Sequence, residues 1–336
     1  MILVTGGTGL VGSHLLYQLI ENGENVRAIY RTEKKVDAVK NVFSYYSSDY
    51  ETLFDQIEWV EATLNDIPKL EEAFKNITHV YHCAAFISFD TKDYHTLRRI
   101  NIEGTANIVN LSISHQVNKL CYVSSIATIG KEENDKLITE ETHWNPEEEQ
   151  SVYSITKYGA EMEVWRGTQE GLDAVIVNPG VIIGPGFWRG GGSGSLIKLV
   201  YKGMSRYTEG VVGYVGVKDV ADAMVQLMES NIVNERFILV SENLSYKTFF
   251  TKTANYLNVQ PPEKKASKFL LSLAWRLDWL RSLLLGKKRR LMKQTTKTIT
   301  TKAYYDNSKI KDAIDFNFKP MDESLSETCQ FFLKEL

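Results

Sequence analysis

Short apolar runs punctuate the first two-thirds of the chain, and between them lie stretches whose apolar residues recur at helical spacing. The runs predict strands over residues 2–4, 25–30, 58–62, 79–83, 119–124 and 174–178. The intervening spacing predicts helices over 10–22, 34–46, 68–76, 97–116 and 152–170. Several of the strands are continuously apolar rather than alternating, as a parallel sheet covered by helices on both faces requires. Strand–helix alternation of this kind predicts an α/β fold with a doubly wound parallel sheet. A further apolar run over 236–240 is expected at the sheet edge. After Gly184 the rhythm changes. Gly184-Pro185-Gly186 and Gly190-Gly191-Gly192-Ser193-Gly194 predict a flexible loop, followed by helices over 195–202 and 217–230 and a mainly helical remainder broken at Pro261-Pro262.

Composition narrows the class. Hydrophobic residues make 43% and charged residues 24% of the 336, which excludes disordered, collagenous and disulfide-scaffold proteins. The net charge of −3 offers no general attraction to nucleic acid. Cys83, Cys121 and Cys329 are too scattered for a disulfide framework or a zinc site, and the histidines show no metal-ligand spacing, so no metal is expected. The opening Met1-Ile2-Leu3-Val4 has no basic n-region, and a cytoplasmic location is expected. The longest apolar candidate, 269–285, contains Arg276, Asp278 and Arg281, so no membrane span is expected. Charge is uneven, however. Residues 264–302 hold twelve Lys and Arg against the single Asp278, a net +11 that leaves −14 for the rest. Two readings of this segment stand. Its apolar stripe (Phe269, Leu273, Leu277, Leu280, Leu284) packs on the body, or it forms an amphipathic lid in peripheral contact with a membrane.

Val4-Thr5-Gly6-Gly7-Thr8-Gly9-Leu10-Val11-Gly12 places glycines at 6, 9 and 12 between a strand and a helix. Gly6 permits the tight turn, Gly9 lets backbone N–H groups approach a pyrophosphate, and Gly12 lets the helix close on the strand. The helix N-terminus then offers unsatisfied N–H groups to the phosphates. This is the context that a dinucleotide cofactor needs. NAD binders place a carboxylate after the second strand for the ribose 2′-hydroxyl. Here Tyr30 and Arg31 stand there, with Arg27, Lys34 and Lys35 nearby. A guanidinium suits a 2′-phosphate, so NADP is expected, with NAD through backbone contacts as the alternative.

Tyr153 and Lys157 lie four apart on one face of a predicted helix, after a strand that ends in Ser124-Ser125. A free phenol titrates near ~10, and an ammonium beside it favours phenolate. With Ser125 hydrogen-bonding a substrate oxygen, the three can move a proton while a nicotinamide moves a hydride.

The sequence resembles the extended short-chain dehydrogenase/reductase family, the NAD-dependent epimerases and dehydratases. The resemblance is carried by the Thr5–Gly12 turn, Cys83-Ala84-Ala85, Asn101 with Gly104-Thr105, Ser125, Tyr153/Lys157, Asn178-Pro179-Gly180, Gly184-Pro185-Gly186 and Val217-Lys218-Asp219-Val220-Ala221. It implies Tyr153 as acid/base, Lys157 on the nicotinamide ribose and Ser125 on the reacting oxygen. It also implies a cofactor cleft lined by Leu64, Cys83, Ala84, Ala85, Asn101 and Ser124, with Pro179, Gly180 and Val181 at the nicotinamide amide. The family habit is a homodimer that includes the Tyr153 helix. Thr63 stands where relatives often carry Asp near the adenine. Val26 to Arg31 is similar to the dihydroflavonol reductase and 3β-hydroxysteroid dehydrogenase branch, whereas Val212 to Gly216 lacks the Arg-Asp-aromatic typical of nucleotide-sugar enzymes.

The expected organisation is a dinucleotide-binding Rossmann unit over 1–183, rejoined by 217–241, with a mainly helical substrate-binding region over 184–216 and 242–336. The expected activity interconverts a carbonyl and an alcohol on a medium-sized, largely apolar small molecule. Phe86, Ser125, Asn178 and Phe187 are the candidate substrate contacts, with Phe89, Trp188, Trp275 and Trp279 as further apolar surface. Two alternatives stay open: a nucleotide-sugar epimerase or dehydratase with tightly held NAD, and a non-catalytic nucleotide sensor.

Overall fold

The computed structural model describes residues 1–132, 136–188, 192–286, 289 and 291–336. Gly190 and Gly191 of the expected loop, and Lys287, Lys288 and Arg290 of the basic segment, lie outside the described residues. Fourteen strands occur among the described residues: β1 (Ile2–Thr5), β2 (Val26–Tyr30), β3 (Glu58–Glu61), β4 (His79–His82), β5 (Lys119–Val123), β6 (Leu137–Ile138), β7 (Ala174–Pro179), β8 (Val181–Ile183), β9 (Arg206–Tyr207), β10 (Val211–Gly216), β11 (Glu235–Leu239), β12 (Glu242–Ser245), β13 (Lys264–Lys265) and β14 (Tyr304–Tyr305).

Seven of them form one parallel sheet in the order β11-β7-β5-β4-β1-β2-β3. The expected doubly wound sheet is thus present, with β11 at the predicted edge. Strand order reverses between β1 and β4, and ligands of such sheets bind in the crevice beyond that point. The continuous apolar runs are explained by two cores. One lies between the sheet and the helices Leu10–Glu21, Val36–Phe43 and Val217–Glu229. The other lies on the opposite face, under the helices Ile67–Ala73, Gly104–Ser114 and Val152–Gln169. The predicted single helix over 97–116 instead begins at Tyr94 and passes through a π segment, Arg98–Glu103, before continuing as Gly104–Ser114. Such insertions are frequent at functional sites.

A second sheet, β12-β10-β8, was not expected. Its strands are short and β10 carries Gly213 and Gly216, which masks the period. Behind it pack Phe249, Phe250, Met321, Leu325 and Phe332. Trp188 belongs to this cluster rather than to a substrate surface: its ring meets Phe332 at 5.1 Å and its Nε1 donates to Glu335.

Asp219 ties the C-terminal segment to this frame. It is 2% exposed, and its Oδ2 accepts from the Lys319 backbone N–H at 3.2 Å. Burial raises its carboxyl from 3.8 to about 6. A folded-state pKa above the unfolded one means that ionisation costs stability, a cost absent below pH ~4 and complete above pH ~6. Asp219→Asn keeps the acceptor and should therefore stabilise the protein by roughly 2–3 kcal/mol at pH 8, at 1.36 kcal/mol per unit, with no gain at pH ~3.5. Urea titrations at the two pH values check this; an equal effect at both would contradict it.

The basic segment departs from the packed reading. The helix Lys268–Leu285 turns Phe269, Leu273, Leu277, Leu280 and Leu284 to solvent, not to the body. Helical spacing announces a stripe but not what covers it.

Candidate active site

Beyond the C-terminal ends of β1, β2 and β4 opens a cleft of about 430 Å³. Its wall at β1 is the glycine turn. Gly6 adopts φ 71°, and a Cβ there would fall 2.5 Å from the Ala84 nitrogen. A Cβ on Gly12 would fall 2.3 Å from the Gly6 carbonyl oxygen. The helix that Leu10 opens has Gly9 as its cap, with no capping side chain and no acidic residue in its first turn. Its N–H groups and partial positive charge are therefore available to an anion.

Gly6, Thr8, Gly9, Arg31, Leu64, Cys83, Ala84, Ala85 and Phe86 all line this cleft. The side chains of Thr5 and Val11 point away from it into the interior, and Gly7 and Gly12 stand behind the wall. Thr5 Oγ1 lies 2.6 Å from His82 Nδ1, and His82 Nε2 lies 2.9 Å from Thr105 Oγ1. Burial lowers His82 to about 3, so this brace stays neutral.

Among the described residues three cations line the cleft, Arg31, Lys35 and Arg99, and no carboxylate does. Arg99 was not anticipated; it comes from the π segment, which no local sequence signal announces. Arg27 is a correction. It faces its cross-strand partner Glu58 (2.8 and 3.1 Å) and the carbonyls of Ala73 and Lys75 and does not line the cleft. Lys34 does not line the cleft either. The uncapped helix start, the close-packed glycines and the carboxylate-free basic wall fit a phosphorylated dinucleotide.

Ser151 caps the helix Val152–Gln169 by accepting from Ser154 N at 3.0 Å. That start sets Tyr153 close enough to Ser125, the residue after the β5 end, for its hydroxyl to act on the phenol. Burial raises the Tyr153 phenol, while the Ser125 hydroxyl lowers it. The Phe89 ring stands 5.4 Å from the Tyr153 ring and is half exposed. Lys157 is on the same helix but its long stem reaches the sheet. Nζ donates to Tyr122 Oη at 2.7 Å and to the Val123 carbonyl at 2.8 Å, and sits 4.4 Å from the Tyr122 ring centre. Burial lowers this amine to about 7. The Lys157 amine, expected near the phenol, is held by hydrogen bonds to β5.

Beneath Ser125 lies a buried polar hub that the sequence did not reveal. Glu161, fully buried one turn after Lys157, accepts from Ser124 Oγ at 2.5 Å, Thr128 Oγ1 at 2.7 Å, Asn178 Nδ2 at 2.9 Å and Arg236 at 3.1 Å. Asn178 Nδ2 also reaches the Ser125 carbonyl at 3.2 Å, and Thr128 Oγ1 lies 2.8 Å from it. The expected substrate contact Asn178 and cofactor contact Ser124 are thus supports of the Ser125 turn by their side chains. Asn101 is similar: Oδ1 accepts from Phe86 N at 2.7 Å and Nδ2 donates to Phe86 O at 3.0 Å, so it holds the loop after β4 rather than facing the cleft. Pro179 ends β7, Gly180 abuts Gly213, and Val181 pairs in β8; none lines the cleft. Phe187 takes φ 57° in the loop after β8 and is not among the residues lining the cleft.

The model of the NAD dependent epimerase/dehydratase family matches residues 2–239. The chain belongs to this family. It is 28% identical over 336 residues to a Synechocystis protein provisionally named dihydroflavonol 4-reductase, covering 98% of this chain and 93% of that one. It is 28% identical over 244 residues to sterol demethylase protein B of Methylococcus capsulatus, covering 72% and 70%. The crystal structure of gox2253 superposes with a TM-score of 0.83 at 25% identity, over 100% of this chain and 98% of that one. The protein is an NAD(P)-dependent enzyme of the extended short-chain dehydrogenase/reductase type.

Proposed function

We propose that this protein is an NADP(H)-dependent reductase that converts a carbonyl on a medium-sized, largely apolar molecule to the alcohol. The observation that carries the reading is the cleft lined by Arg31, Lys35 and Arg99 with no carboxylate among its described lining residues, in a chain that also sets the Tyr153 phenol under the influence of the Ser125 hydroxyl. When bound, the nicotinamide supplies the hydride. Arg31, Lys35 and Arg99 are the groups for the 2′-phosphate, and the glycine-turn N–H groups are those for the pyrophosphate. Ser125 Oγ holds the substrate oxygen and Tyr153 Oη gives it a proton. A phenol raised by burial keeps its proton at neutral pH, which favours the donor role. Half-exposed Ile87 and Phe89 offer apolar contact beside Tyr153. The dihydroflavonol reductase and sterol names of the relatives agree with such a substrate. We place the enzyme in the family habit of a homodimer through the Tyr153 helix.

The test is NADPH oxidation with a panel of aryl and alicyclic ketones. Turnover is expected with NADPH, and Arg31→Asp should raise the KM for NADPH about a hundredfold, ~2.7 kcal/mol, while leaving that for NADH within a few fold. Conversion of a nucleotide sugar without added cofactor, and no turnover on the panel, would overturn the proposal in favour of an epimerase.

A further inference from the structure

We propose that the helix Lys268–Leu285 seats this protein on the surface of an anionic lipid bilayer. Ser267 caps the helix by accepting from Leu270 N at 3.2 Å. At about 100° per residue, Trp279, Leu283, Phe269, Leu280, Leu284 and Leu277 fall within one arc of roughly 160°. That arc faces solvent: Phe269 is 79% exposed, Leu284 72% and Leu283 66%. A soluble surface seldom leaves so continuous an apolar stripe open.

Charge selects the occupant. The segment 264–302 carries a net +11 in a chain of net −3. Lys264 and Lys268 are exposed, with no carboxylate partner among the described residues. Arg276 stands within the apolar arc, stacked 4.7 Å from the Trp275 ring. The helix's one carboxylate, Asp278, is withdrawn from that arc; it pairs with Arg281 at 2.7 Å and accepts from Leu291 N at 3.0 Å. A second copy seated here would bring two strongly basic segments together. Anionic headgroups meet the cations instead, while the apolar arc enters the acyl boundary. Among the described residues no helix is long and apolar enough to cross a membrane, so the helix lies in the surface plane. The seat is also tied to the site. The helix Lys293–Thr298 packs on it, and Lys293 pairs with Glu149 at 3.2 Å, two residues before the Ser151 cap of the Tyr153 helix.

Flotation of the whole chain with vesicles tests this without any substrate, so its failure leaves the reductase reading untouched. Binding to vesicles of phosphatidylglycerol and phosphatidylcholine in equal parts should exceed binding to phosphatidylcholine alone by at least ~10-fold. It should weaken in ~1 M salt. Leu280→Glu/Leu284→Glu should abolish binding, and Lys264→Glu/Lys268→Glu should reduce it at least ~10-fold, both with unchanged Tm and NADPH affinity. Equal binding to both vesicles, or none, overturns the proposal. So does conversion of a dimer to a monomer by Leu280→Glu/Leu284→Glu in a protein that ignores vesicles, which assigns the face to a second copy.

Discussion

Tyr153→Phe is expected to lower turnover by about a hundred- to ten-thousandfold, the range that a positioned acid/base contributes. The substitution removes one oxygen from a half-buried ring, so the fold and the cleft at β1 are left as they are. The KM for NADPH and the Tm should therefore hold while kcat falls, the pattern of a group that acts in the transition state. Ser125→Ala should lower kcat in the same direction, because the substrate oxygen then loses the hydroxyl that holds it for the proton transfer. Single-turnover measurement of NADPH oxidation on whichever ketone the panel yields provides the check. A Tyr153→Phe enzyme with a tenth or more of the original rate would remove the phenol from the chemistry and leave the proposed mechanism without a proton donor.

The second large effect concerns stability. Removing the Glu161 carboxylate with Ala leaves the Arg236 guanidinium, the Ser124 and Thr128 hydroxyls and the Asn178 amide facing a cavity in a dry interior. Breaking a buried charge pair in this way costs about 3–5 kcal/mol, and on the scale for proteins of this size Tm should fall by roughly 10 °C. Glu161→Gln retains the shape and some of the bonds and should lose less than half as much. The hub also holds the Ser125 carbonyl through Asn178 and Thr128, so activity at a temperature where the Gln variant is folded should drop as well. Thermal melts of the two variants decide it, and a Tm for the Ala variant within ~3 °C of the parent would show that Glu161 does not carry the hub.

What could be read from the sequence follows a physical division. Continuously apolar strands and glycines that need a tight turn are local demands, so β1, β2, β4, β5 and β7 and the Gly6–Gly12 turn were all placed to within a residue or two. Nearness along the chain does not place the Arg27 charge. Across the sheet it faces Glu58, and that register is not visible in one strand. Glu161 and Asn178 show a related limit. Nothing local marks a lone carboxylate on a helix as buried, and Asn178, at a strand end, is expected as a substrate contact, until the helix crosses the sheet and encloses both. Lys157 shows the limit of helical spacing: four residues put it on the Tyr153 face, but the length of its stem let β5 claim the amine.

The Gly12 contact bears on how this enzyme could be re-engineered. With only 2.3 Å between a would-be methyl and the Gly6 oxygen, the turn tolerates no library, whatever cofactor is sought. Arg31, Lys35 and Arg99 reach into the same cleft from a loop, a short turn and a π segment. Diversity spent on those three is diversity the scaffold can absorb.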